Sequence, residues 1–357
     1  MQRDVVTSAR SVRAALDQAA RGLVDRQVLV DLVALAAVAG EHLLVLGPPG
    51  TAKSQAVRQV AKALGGRYFE YLLGRFTEPS ELVGPIDLRR LKDGVVETQT
   101  AGMLPEAEVA FLDEVFLGST AILNTLLSLL NERTFRRGAT ALAVFADRFL
   151  LRCFVAPVAD AQLEELLEGG WRVEGGAVTA GASLAAIDAL AATARAADLT
   201  AARPALAAAI RALRGAGVAL SDRRVVKLQR LVAAAAALDG RTAATTADLW
   251  PIVYAVPTAE AQAQAREVLR ELLAASASDG LAAAAAEASM AAPARAARLV
   301  ATAQALLAEP ADGATRALQL ESVVREIDAG FAADARPPAL ADARAAIVAA
   351  LAQARGE

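Results

Sequence analysis

The first half of the chain carries apolar positions in two alternating rhythms. Residues 5–40 show apolar side chains at helical spacing, broken at Gly22-Leu23-Val24-Asp25, which predicts helices on either side of the break. His42-Leu43-Leu44-Val45-Leu46 is a short apolar run ending at Gly47, the pattern of a buried strand. A helix is expected over 53–64 and a second strand from Arg67 to Leu73. The stretch 84–104 reads as a hairpin turning at Lys92-Asp93-Gly94, since Asp-Gly supplies the positive φ of a tight turn. Val109-Ala110-Phe111-Leu112 is another apolar strand, followed by a helix over 119–132. Strand alternating with helix predicts an α/β region with a mainly parallel sheet.

Near Pro157 the rhythm changes and strands almost vanish. Helical patterns run over 160–168, 183–197, 203–214 and 222–238, with Trp171-Arg172-Val173-Glu174-Gly175-Gly176-Ala177-Val178 as a small hairpin insert. After Pro257 the chain is alanine-rich helix, broken near Gly280, Pro293, Pro310–Gly313 and Pro337-Pro338. No repeat of fixed period is present. The expected division is therefore an α/β unit over 1–156, an all-α unit over 157–256 and a C-terminal helical bundle over 257–357.

Composition agrees with two to three domains in 357 residues. With 55% hydrophobic and 22% charged residues, wholesale disorder is excluded. A net charge of −3 argues against a generic nucleic-acid coat. Aromatics are 4% and alanine dominates, which favours helix over an all-β fold. The single cysteine, Cys153, permits no intrachain disulfide and reads as a buried structural thiol. Met1-Gln2-Arg3-Asp4 lacks a signal-peptide pattern, and no run of about 18 uncharged apolar residues occurs, so a cytoplasmic location is expected. The only histidine, His42, excludes a histidine-based triad or metal cluster and reads as part of a helix–strand turn. Trp171 and Trp250 read as packing anchors.

The strongest chemical signal is Gly47-Pro48-Pro49-Gly50-Thr51-Ala52-Lys53-Ser54, placed between a strand and a helix as a phosphate-binding loop requires. Loop N–H groups and the helix dipole suit phosphate oxygens. Lys53 is then the β/γ-phosphate cation, Ser54 an Mg²⁺ ligand, and Gln55 the next residue of the nucleotide-binding set. Ala52 stands where the motif usually has its second glycine, which narrows the allowed backbone angles. The plain alternative is a Gly/Pro-rich turn with an accidental lysine, in a chain that has only Lys53, Lys62, Lys92 and Lys227. The acidic partner is Asp113-Glu114 at the end of the third strand. Asp113 suits the metal side and Glu114 a general base that polarises water, against the alternative of a solvated strand end.

Together with flanking blocks, these residues resemble a MoxR-type AAA+ ATPase, most closely the RavA-like regulatory branch. The blocks are Arg75-Phe76-Thr77-Glu78-Pro79, Leu82-Val83-Gly84-Pro85, Leu104-Pro105-Glu106-Ala107-Glu108 running into the third strand, Ile122-Leu123-Asn124-Thr125-Leu126-Leu127, Asn131-Glu132-Arg133-Thr134-Phe135, Asp147-Arg148-Phe149-Leu150-Leu151-Arg152 and Ser221-Asp222-Arg223-Arg224. The resemblance spans residues 5–256. It implies an AAA+ P-loop core with a helix-2 insert at 84–104, a helical lid, and a ring, usually hexameric, with ATP and Mg²⁺ between subunits. It also implies Arg148 as arginine finger and Arg223 as sensor 2, with Arg224 as the alternative. The plain readings are a local salt bridge to Asp147 for Arg148, and a solvated helix start for Arg223 and Arg224. A partner bearing a von Willebrand factor A domain is implied in the same way.

One departure stands out. From Glu114 to Asp147 is 147 − 114 = 33 residues. The resemblance implies roughly twenty more, forming a strand that ends in a polar sensor-1 residue, and losing that strand strips partners from two buried edges. Three readings are open: a segment is missing from this sequence, residues 140–146 form a shortened replacement strand, or the core has lost turnover. A measured intact mass matching the 36.8 kDa of this sequence would exclude the first. The function expected is an ATP-hydrolysing remodelling motor or chaperone. The alternative is a nucleotide-gated scaffold that binds ATP, assembles and hydrolyses little. The acidic balance disfavours a DNA-directed loader.

Overall fold

The computed structural model describes residues 2–120, 122–123, 126, 134–137, 140–143, 149–158, 162–175, 184–289, 299–300, 302–304, 306–307, 320–321, 323–324, 327–328 and 336–355. Helix α1 (Gln2–Ala20) buries Val5, Ala9, Val12, Leu16 and Ala19 along one face. Helix α2 (Gln27–Ala39) is buried on most of its circumference and ends at Gly40 in the left-handed conformation. The predicted break between them is real, with Gly22 and Asp25 both at positive φ.

Strand β1 (Leu43–Leu46) leads through the glycine-rich loop into α3 (Lys53–Ala63), then β2 (Tyr68–Leu72) and β3 (Val109–Asp113). Between β2 and β3 lie two short helices, α4 (Pro79–Val83) and α5 (Leu88–Lys92). The 84–104 segment pairs antiparallel at its base, with an Ile86–Thr98 bridge and the Asp87–Glu97 and Gln99–Pro85 bonds, and it turns at Gly94. Its tip is helical because the Asp87 carboxylate accepts from the Arg89 and Arg90 N–H groups and caps α5.

Strand β4 (Thr134–Arg137) pairs antiparallel with β5 (Thr140–Ala143), while β6 (Leu151–Phe154) runs parallel to β1 with Leu43 opposite Leu151 and Leu46 opposite Phe154. β2 and β3 form a second parallel pair, Tyr68 opposite Val109 and Leu72 opposite Asp113. Among the described residues no strand joins the two pairs. Of the expected replacement strand 140–146, Thr140–Ala143 pairs with β4 rather than with β1 or β3 among the described residues, and 144–146 lie outside them. A second expectation changes with it. All four β1 residues are half-buried rather than buried, and Ala110 of β3 is exposed.

The helical half follows its pattern closely. It comprises α6 (Leu163–Gly175), α7 (Leu184–Arg195), α8 (Arg203–Gly215), α9 (Asp222–Leu238), a 3-10 segment (Thr246–Ala255), α10 (Ala259–Val268), α11 (Arg270–Ala274), α12 (Ala282–Ser289) and α13 (Pro338–Arg355). The alanines of α9, 233–237, are all buried; small side chains let α2, α7 and the 3-10 segment approach its axis. The hairpin expected at 171–178 is corrected: Trp171 to Gly175 continue α6, whose first turn carries Glu164 and Glu165 at the positive end of the helix dipole. Residues 176–178 lie outside the described residues. Trp250 is a fully buried anchor as expected, whereas Trp171 is 82% exposed and packs no core. The helix expected at 119–132 is seen at Thr120, Ile122, Leu123 and Leu126; its other residues from 121 on, like Pro293 and 310–313, lie outside the described residues.

One apolar cluster runs from Val5 to Ala288 and unites α1–α3, β6 and the helical half. A much smaller one, built on Phe69, Leu73, Leu82, Val83, Ile122 and Leu126, supports β2 and β3. A third holds Leu299, Leu320, Ile327, Leu340 and Ile347 together in the C-terminal region. Among the described residues no helix is long and apolar enough to cross a membrane.

Candidate nucleotide site

The loop from Gly47 to Ala52 is shaped by close approach. A Cβ at Gly47 would collide with the Val155 carbonyl just beyond β6, so glycine is required there. Gly50 sits at φ 78° and Ala52 at φ 56°, ψ 27°. Left-handed backbone at alanine costs about 1–2 kcal/mol, a strain characteristic of functional turns. Ala52 is the N-cap of α3 and carries no side-chain acceptor, so the first-turn N–H groups have no side-chain cap. Lys53 Nζ lies across the loop, donating to the Gly47 and Pro48 carbonyls at 3.1 and 2.8 Å, and Thr51 Oγ1 donates to Pro48 O at 2.9 Å. Uncapped N–H groups, a helix N-terminus and an ammonium on one turn fit an anionic phosphate chain.

Beside the loop is a cavity of about 660 Å³, within the range of small-molecule sites. Pro48 to Ala52 and Gln55 form one wall; Gly22, Leu23, Val24 and Arg26 form another; Pro157, Val158, Leu166 and Gly170 close it. Gly169 of α6 lies against the Gly22 carbonyl, where a Cβ would be too close. Arg26 is 3% exposed and ties the walls together, Nε donating to Thr51 O at 2.8 Å and Nη2 to Ala156 O at 2.9 Å. Burial lowers its pKa. Sequence reasoning took 22–25 only as a helix break and missed this wall. The available signal was an arginine and an aspartate inside an otherwise apolar break.

At the end of β3, Asp113 is half-buried, and its Oδ1 accepts from Glu114 N–H at 3.0 Å. Glu114 is exposed and left-handed, φ 52° and ψ 39°. Helix α3 packs on both β2 and β3 and so links the loop to this acidic end. No group of three or more His, Cys, Asp or Glu side chains that could hold a metal occurs among the described residues. A magnesium ion here would rest on Ser54, Asp113 and ligand oxygens, a set that suits a cation which keeps several waters.

At the start of α9 the two arginines part. Arg224 donates through Nη1 to Leu150 O at 2.9 Å and Ala255 O at 2.5 Å, and through Nη2 to Phe149 O at 2.7 Å, with burial lowering its pKa. It is a structural tie between α9 and β6. Arg223 lines a separate small cavity with Phe149, Leu150, Ser221 and Lys227, and it does not line the cavity beside the loop. Lys227 and Arg230 both bond Glu41 at the foot of β1, at 3.1 and 2.9 Å. Arg148 lies outside the described residues. His42 packs edge-on against Phe149. Cys153 is buried, and burial pushes its thiol up to about 12.

A parallel α/β core with a phosphate loop, followed by a helical lid and a largely helical C-terminal region, is the AAA+ ATPase fold. The chain belongs to the MoxR family: the family model of the MoxR domain in the MoxR-vWA-beta-propeller ternary systems matches residues 10–192, just over half of the chain, and an AAA lid domain model matches 203–268. A crystal structure of a candidate ATPase from Cytophaga hutchinsonii shares the fold at TM-score 0.58 and 17% identity, over 76% of this chain and 96% of that one. Two uncharacterised proteins of Methanocaldococcus jannaschii are each 45% identical over 115 residues, 32% of this chain and 31% and 30% of theirs. A structural protein of Acidianus two-tailed virus is 33% identical over 123 residues, 33% of this chain and 19% of its own length. The chain thus spans less than a third of the curated relatives it matches.

Proposed function

We propose that this chain is a ring-forming MoxR ATPase that couples Mg-ATP hydrolysis to remodelling or maturation of a protein client. The observation that carries this reading is the uncapped N-terminus of α3, with Lys53 over it, opening onto a nucleotide-sized cavity. In this reading the loop 47–52 and Lys53 hold the phosphates, Gln55 follows them on α3, and the Gly22–Arg26 wall receives the base. Ser54 and Asp113 hold the magnesium ion, which neutralises developing charge when bound. Glu114 orients and polarises the attacking water. Arg148 serves a neighbouring subunit's phosphate, and Arg223 couples the lid to nucleotide state; Arg224, committed to three carbonyls, is not free for that role.

The working division is a core over 1–156, a lid over 157–256 and a tail over 257–357, acting in the cytoplasm as an oligomer, in a hexamer by family likeness. The description of the matching family supports a von Willebrand factor A domain partner and a β-propeller protein as co-workers. The finer RavA-like assignment rests on the motif blocks alone. Steady-state phosphate release by the purified chain is the test. Glu114→Gln is expected to keep ATP binding and abolish turnover, and unchanged turnover excludes Glu114 as the base. Arg148→Ala is expected to lose turnover with affinity kept. A specific activity that does not rise with assembly refutes a finger acting between subunits.

A second reading, a nucleotide-gated scaffold with negligible hydrolysis, is favoured by one observation. Among the described residues, the strand bearing Asp113 is not hydrogen-bonded to the half of the sheet bearing the loop. Phosphate release at background level alongside tight ATP binding selects it.

A further inference from the structure

The strained alanine of the glycine-rich loop is held from both sides. Ala52 is left-handed, φ 56° and ψ 27°, a conformation that a β-carbon disfavours. Its two torsions are set by the two planar peptides that flank it. The peptide after it belongs to α3, where Ala56 N–H donates to Ala52 O at 3.0 Å. The peptide before it precedes the helix, and its carbonyl, Thr51 O, accepts from Arg26 Nε at 2.8 Å. The Thr51 hydroxyl is committed elsewhere, to Pro48 O at 2.9 Å. Thr51 is buried, so water is poorly placed to replace the guanidinium. The φ of Ala52 therefore depends on Arg26.

Arg26 is itself fixed in place. Nη2 donates to Ala156 O at 2.9 Å, just past β6, and Nη1 to Asp25 O at 2.5 Å. Its ion pair with Asp25 is long, 3.8 Å, and the Asp25 side chain is largely exposed. The guanidinium thus serves three backbone carbonyls from one rigid plane, which a lysine could not do. A trans peptide holds its C=O and N–H on opposite sides. Turning Thr51 O onto Arg26 turns Ala52 N–H the other way, away from the guanidinium. Pro48 and Pro49 carry no N–H, so beyond Gly47 the amides that the loop can offer an anion begin at Gly50. Ala52 N–H is one of that short set.

We propose that Arg26 is a positioning residue for the phosphate chain: by holding Thr51 O it keeps Ala52 left-handed and Ala52 N–H presented to the phosphates. The proposal rests on the nucleotide reading above. Without the guanidinium, the Thr51–Ala52 peptide rotates to the negative φ that alanine prefers, and the N–H leaves the phosphate site. Glycine takes the left-handed conformation without strain. Ala52→Gly therefore substitutes for the clamp, and a rescue by that change separates positioning from general support of the fold.

The test is calorimetric titration of Mg-ATP into the full chain, as wild type, Arg26→Gln and Arg26→Lys, each with and without Ala52→Gly. Arg26→Gln is expected to weaken binding by about tenfold, which the strain of a left-handed alanine corresponds to. Arg26→Lys is expected to lose about as much, because it keeps the charge and not the fork. Ala52→Gly is expected to improve affinity at least about fivefold more in either Arg26 variant than in wild type. Circular dichroism checks folding, and if Arg26→Gln does not fold, Arg26→Lys carries the comparison. Wild-type affinity in Arg26→Lys assigns the effect to charge alone and overturns the proposal. An equal effect of Ala52→Gly in all backgrounds also overturns it, since Arg26 then only supports the fold. A wild type that binds no Mg-ATP refutes the nucleotide reading itself, whereas a wild type that binds, with no rescue, refutes the role of Arg26 alone.

Discussion

The strand pair that carries the phosphate loop and the strand pair that carries the acidic end are built from similar sequence, Leu-Leu-Val-Leu against Val-Ala-Phe-Leu, but are supported very differently. β1 and β6 belong to an apolar cluster that takes in α1–α3 and most of the helical half. They are further tied by Arg26, Arg224 and the Glu41–Lys227–Arg230 group. β2 and β3 rest on a cluster of six buried residues and on surface ion pairs, Arg58 with Glu70 and Arg67 with Glu108. Nearby, Leu72, Phe76 and Phe116 are more than half exposed. Equal strand propensity therefore does not give equal strand stability; the difference lies in what each pair is packed against. The half bearing the glycine-rich loop is well packed and the half bearing Asp113 and Glu114 loosely packed, so under the proposed function nucleotide binding and hydrolysis fall on parts of unequal stability.

That contrast can be broken or sharpened in steps. Trp250→Ala, at the fully buried centre of the large cluster, is expected to cost about 3–5 kcal/mol. Denaturant unfolding should show it, together with loss of nucleotide binding. Lys53→Ala should lower phosphate release by about 10²–10³-fold and weaken ATP affinity. Glu114→Gln, on the looser half, should spare affinity, so equal loss of affinity in both would erase the division of labour.

Asp31 tests how the C-terminal region is fastened to the rigid half. Its Oδ2 accepts from Ala284 N–H at 3.0 Å at the start of α12, and Arg13 lies 3.5 Å from Oδ1. Burial raises its pKa to about 6 from the usual 3.8. The folded protein therefore binds this proton more tightly than the unfolded chain does. Its contribution to stability is full below pH 4 and is lost as pH rises through 6, on the order of 2 kcal/mol. Denaturant midpoints at pH 4, 5 and 7 for wild type and Asp31→Asn should diverge across that window, and parallel curves refute it. The smallest effect belongs to the looser half: Arg58→Ala, removing a half-exposed pair with Glu70, should change stability by no more than about 1 kcal/mol.

Much of this architecture was legible beforehand. The 3.6-residue rhythm placed α1–α3 and α7–α9 to within a few residues, and the strand–glycine–helix context identified the phosphate loop. Where local patterns misled, a neighbour decided the outcome. Trp171 to Gly175 carries turn residues, yet it continues α6, with Gly169 laid against Gly22. Thr140–Ala143 has strand character, but a nearby partner captured it. The cavity wall at Gly22–Arg26 lies over 20 residues from the loop it meets, and nothing in its own spacing announces that contact.

By itself, then, the sequence determined the kinds of element, their order, the glycine-rich turn and its lysine, because periodicity, capping and loop chemistry are local properties. Only the tertiary structure decided that Arg224 is spent on backbone carbonyls, how the wall at Gly22–Arg26 closes on the loop, and that 140–143 pairs with β4. Those outcomes depend on which distant groups meet, and that is not encoded in the neighbourhood of a single residue.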